Sequence, residues 1–158
     1  MNEQYLTILQ ESLQKKIQIL DEIYRLCEYQ GAILAEESVD YDKFDVCVDD
    51  KDICIEQLNR LDDGFEQLYS RVSEELLNNK EKYRDWIVTT KGLISQITEK
   101  SVAIQAAEKR NKLSVETAFN NGRKSIGQSK KSVKVAMDYY RNMSRTGVIT
   151  SQYMDKKK

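Results

Sequence analysis

Proline is absent from this 158-residue chain, and so is histidine. Proline ends helices and shapes loops, so a chain without it points to few, long helices. Without histidine the chain lacks the commonest general base, the commonest metal ligand and the usual partner of a catalytic serine or cysteine. Cysteine occurs three times, at Cys27, Cys47 and Cys54, and glycine six times. An odd cysteine count, behind the polar opening MNEQYLTILQ, argues against both a secretion signal and a disulfide framework. No apolar run approaches the ~18 residues a membrane-spanning helix needs. There is no glycine-rich phosphate loop and no nucleophile with a matching base. The chain therefore reads as a cytoplasmic, non-enzymatic protein of one-domain size, with no catalytic residue, cofactor or metal expected.

What the chain does contain is charge and helical rhythm. Charged residues make up 32% and the apolar set 40%, enough to bury a narrow seam between helices rather than a thick core. The net charge of -1 hides a division. Residues 1–119 hold 15 basic and 24 acidic side chains, a net of -9; residues 120–158 hold 10 basic and 2 acidic, a net of +8. An acidic body and a basic end suggest separate tasks.

The most regular stripe lies between Ile53 and Leu77, the stretch the rest of the chain is expected to lean on. Ile55, Leu58, Leu61, Phe65, Leu68, Val72 and Leu76 recur every three or four residues, the spacing of one helix face. Glu56, Asn59, Arg60, Asp62, Asp63, Glu66 and Glu74 occupy positions suited to water. A stripe this regular needs other helices to cover it.

Before it, residues 2–37 read as a first helix with Leu6, Leu9, Leu13, Ile17, Leu20, Tyr24, Cys27 and Leu34 on one face. Ile8, Ile19 and Ile23 widen that stripe, as suits a helix touching two others. Gly31 weakens it near its end. The acidic connection over residues 38–52 offers Ser38 or Asp40 as the cap of a second helix, over about 40–77. Asn78, Asn79 and Lys80 form the next break. A third helix over about 81–112 carries Tyr83, Ile87, Thr90, Ile94, Ile97, Ser101, Ile104, Glu108 and Asn111 in step. Where that stripe turns polar, at Ser101, Glu108 and Asn111, its apolar partners are expected to run out. Beyond it the rhythm continues, thinly filled, through Val115, Phe119, Ile126, Val133, Met137, Tyr140 and Met143. The reading is all-α: a long antiparallel helical hairpin or three-helix bundle over 1–112, then a basic, amphipathic, mobile C-terminal helix and tail over 113–158.

Several clusters imitate chemistry. Asp42, Asp45, Asp49 and Asp52 lack the spacing and the glycine of a calcium loop, and read as a solvated helix face. Cys47 and Cys54, seven apart, share a face but make no zinc site alone, and read as small apolar seam residues. Asp62 and Asp63 point in different directions on a helix and form no acid–base pair. The basic end could meet nucleic acid or an anionic membrane, but its acidic neighbour in the same chain disfavours both. A helical partner protein suits its Met and Tyr content better.

The run KDICIEQLNRLDDGFEQLYSRV, then EKRNK at Glu108 to Lys112, DYYRNM at Asp138 to Met143, and the ending YMDKKK resemble the FlgN type of flagellar export chaperone, in its Gram-positive, clostridia-like form. The resemblance implies a cytoplasmic chaperone of type III protein export. It would bind the C-terminal helical segments of the hook-associated proteins at the hook–filament junction, prevent their premature assembly and deliver them to the export gate. The implied client-binding residues are Val115, Phe119, Ile126, Val133, Met137, Tyr140 and Met143, with Tyr139 or Tyr140 a candidate for docking on the export gate. No nucleic acid and no stable membrane insertion are expected. Two other readings stand beside this one: a self-associating structural coiled coil, and a chaperone of another export client such as the filament cap.

Overall fold

The computed structural model describes residues 2–121, and they form an all-α three-helix bundle. Helix α1 spans Asn2–Ala35, α2 Tyr41–Asn78 and α3 Arg84–Asn121. The first two agree with expectation to within a few residues. The third begins later than expected and passes residue 112 without interruption. Of the expected C-terminal helix, residues 122–158 lie outside the described residues.

The connections follow from local chemistry. Of the two candidate caps, Asp40 is the one used: its Oδ1 accepts from the backbone N–H of Asp42 (3.1 Å) and of Lys43 (3.2 Å), satisfying donors the first turn of α2 leaves free. At the far end Asn79 Nδ2 donates to the Glu75 carbonyl at 2.9 Å and closes α2. Gly31, Gly64 and Gly92 all lie inside helices, so none of them breaks the rhythm.

Pairings across the bundle fix its topology. Lys16 meets Asp62 and, farther along α1, Cys27 meets Lys51, so α1 and α2 run antiparallel. Trp86 meets Leu6, Lys100 meets Asp21 and Arg110 meets Glu28, so α1 and α3 run parallel. Helix α1 packs on both others, whereas no Cα of α2 comes within 8 Å of a Cα of α3. The hub of the bundle is therefore α1, not the Ile53–Leu77 stretch. The physical reason is stripe width: Leu9, Leu20 and Ile23 are fully buried, while Lys16, Leu26, Gln30 and Ile33 complete a face broad enough for two neighbours. Tyr24 and Ile8, expected on that face, are exposed instead.

The core divides in two. A large cluster takes in Leu6 to Cys27 of α1, Cys54 to Leu76 of α2 and Ile94 to Ala107 of α3. A small one gathers Ile33, Phe44, Cys47, Val48 and Val115 at the other end. Each fully buried Leu or Ile stabilises by roughly 1.5–3 kcal/mol, against about 0–1 kcal/mol for surface bridges such as Lys100–Asp21 and Arg110–Glu28. The apolar seam holds the bundle, and the surface pairs only trim it.

Candidate functional site

Two features of the bundle exceed what a plain apolar seam requires. The first is a polar layer between the two clusters. Helix α1 supplies Cys27 and Gln30, α2 supplies Lys51, and α3 supplies Glu108 and Asn111, all buried. Lys51 Nζ donates to Glu108 Oε1 at 2.7 Å, and the Cys27 thiol donates to the same oxygen at 2.7 Å. Asn111 Nδ2 donates to the Cys27 carbonyl at 2.9 Å. Burial pushes the Glu108 carboxyl above its ordinary range, against the opposing pull of the Lys51 charge and of both hydrogen bonds. The amide of Gln30, Glu108 Oε2 and Asn111 Oδ1 find no hydrogen-bond partner among the described residues. Each such group costs about 1–3 kcal/mol, so the layer gives up stability that a well-packed apolar layer would keep.

At Glu108 and Asn111 the apolar partners of α3 give way, as the sequence suggested, and polar partners take their place. A second buried pair, Lys16–Asp62 at 2.7 Å, corrects the placing of Asp62 among water-facing residues, while Asp63 beside it is exposed. The signal for these residues was their register. Lys51 falls seven residues after Phe44 and seven before Leu58, and Asp62 seven after Ile55 and seven before Tyr69. Both sit on the apolar stripe, and only their charge concealed it.

The second feature is a groove of about 280 Å³ where the end of α2 meets the start of α3. The backbones of α2 and α3 come no closer than 8 Å between Cα atoms, which leaves room for it. Tyr69, Leu76, Leu77, Trp86, Ile87 and Val88 give it an apolar lining, and Lys80, Glu81, Arg84 and Lys91 its charged rim. Trp86 anchors the rim side: its Nε1 donates to the Leu6 carbonyl at 2.9 Å and pins the start of α3 to α1. Tyr69 stacks on Phe65 with ring centroids 5.9 Å apart, and burial pushes its hydroxyl to a higher pKa.

The expected partner-binding residues fare unevenly. Val115 is buried in the small cluster with Ile33, Phe44, Cys47 and Val48. For Val115 alone, that corrects the expectation that the bundle has no stripe left to cover it. Phe119 lies in α3, its side chain outside the described residues, and Ile126, Val133, Met137, Tyr139, Tyr140 and Met143 are outside them altogether. Cys47 and Cys54 are buried free thiols in the seam, and burial raises the pKa of each. Among the described residues no three Cys, Asp or Glu side chains gather where they could hold a metal ion. No described helix is long and apolar enough to cross a membrane. In comparison with known proteins, no family model, no curated protein and no solved structure matches the chain.

Proposed function

We propose that the chain is a FlgN-type export chaperone that works in the cytoplasm. It holds the C-terminal helical segments of hook–filament junction proteins until they reach the export gate. The observation that carries this reading is a conjunction within one chain. The run KDICIEQLNRLDDGFEQLYSRV forms the seam of α2, and a basic segment bearing Met and Tyr follows α3. A chaperone of helical clients needs a stable helical platform and an adaptable apolar surface beside it, and Met-bearing segments adapt well. In this reading Phe119, Ile126, Val133, Met137, Tyr140 and Met143 contact the client, and Tyr139 or Tyr140 meets the export gate. Val115 serves the platform instead.

The test is co-purification with C-terminal segments of hook–filament junction proteins, comparing the full chain with one ended after Asn121. Ending the chain there keeps Val115 and so keeps the small cluster closed. The full chain is expected to retain the client, and both the shortened chain and Met137→Asp to lose most of it. Retention by the shortened chain would move the contact to the bundle. A full chain that retains no such segment would end the chaperone reading.

A further inference from the structure

We infer that the groove between the end of α2 and the start of α3 is a docking site for an acidic amphipathic helix of a partner protein. This inference does not rest on the chaperone reading. The groove lies at the start of α3, a helix about 55 Å long at 1.5 Å per residue over 38 residues, and the basic segment follows the other end of that helix in sequence.

Shape gives the first argument. Tyr69 and Leu76 form a buried apolar floor with the half-buried Ile87, and Leu77 and Val88 in the same lining are 55% and 62% exposed. The bundle leaves other large apolar side chains exposed as well, Val46, Ile53, Val102 and Leu113 among them, but Leu77 and Val88 line the same groove. A helix laid between them would bury both and would present its own apolar residues at three-four spacing to the floor.

Charge gives the second. Lys80, Arg84 and Lys91 rim the groove against the single acid Glu81, although the body they belong to, residues 1–119, is net -9. None of the three forms an ion pair among the described residues. A cationic rim around an apolar floor attracts Asp and Glu flanking an apolar stripe and repels a basic segment. It thus disfavours residues 120–158, with 10 basic and 2 acidic side chains, as its occupant.

The experiment uses the full chain and two synthetic amphipathic peptides with the same leucine pattern, one flanked by Glu and one by Lys. Trp86 lines the groove and is the sole tryptophan, so its emission reports occupancy directly. The Glu peptide is expected to shift that emission and to bind about tenfold more tightly than the Lys peptide at low salt, the gap narrowing as salt is added. Val88→Asp, at an exposed position that leaves the fold intact by circular dichroism, should abolish binding. The combination Lys80→Glu, Arg84→Glu and Lys91→Glu should reverse the preference. Four results would overturn the inference. Neither peptide binds. Both bind equally and survive Val88→Asp. Light scattering could show a dimer that Val88→Asp dissociates, which assigns the groove to a second copy. Or a chain ended after Asn121 could take up both peptides where the full chain takes neither, which assigns it to residues 122–158.

Discussion

Lys51 and Glu108 face each other at 2.7 Å with almost no exposure to water. Stripping water from two charges offsets most of their attraction, yet removing one partner strands the other. Glu108→Gln and Lys51→Met are each expected to lower stability in urea unfolding by about 3 kcal/mol. Lys51→Met combined with Glu108→Leu should recover the loss to within about 1 kcal/mol or exceed the parent. The pair also leaves a signature in pH. Because burial raises the Glu108 pKa above 4.5, the folded chain keeps this proton when the unfolded chain has lost it. The stabilisation tied to that proton is complete below about pH 4.5 and disappears as pH rises through the folded value. The stability difference between the parent and the double variant should therefore shift against the parent across that window; a flat difference would contradict the assignment. Register alone would have placed Lys51, Asp62 and Glu108 inside from the sequence. What could not be read there is which charge meets which, since that depends on how three helices align.

At the level of the helix, most boundaries were legible because they rest on local chemistry. Asp40 sits where a cap is needed, and the asparagines sit where α2 stops. The hub was not legible in the same way. The regularity of the α2 stripe drew attention to it, while the broader and less tidy α1 stripe proved to be the one with two partners. Regularity reports how well a face matches one neighbour; breadth reports how many neighbours there are. Glycine separates the helices further. A β-carbon at Gly64 or Gly92 would meet nothing within 4 Å, but at Gly31 it would lie 3.2 Å from Arg110 Nη2 and 3.3 Å from Asn111 Oδ1. Gly64→Ala and Gly92→Ala should each raise stability in urea by about 0.5–1 kcal/mol through helix propensity alone. Gly31→Ala should gain less than either, because the buried Asn111 must yield.

Taken whole, the bundle is a large apolar cluster and a small one with a polar layer between them. Cooperative units of this kind open separately. Amide exchange should be slowest around Leu20, Ile23, Leu58 and Ile104, and measurably faster around Ile33, Phe44, Val48 and Val115. Uniform protection along all three helices would show that the layer insulates nothing. The central place of α1 has a further consequence, for the chain as it is made. Leu6 accepts its hydrogen bond from Trp86, a residue synthesised 80 positions later. At about 5–20 residues per second the ribosome takes roughly 4–16 s to supply that partner. Helix α2 is complete 43 positions before α3 ends at Asn121, and for the roughly 2–9 s between them α1 can hold α2 while its other apolar flank is uncovered. The nascent hairpin, rather than the finished bundle, is the form of this protein most exposed to aggregation.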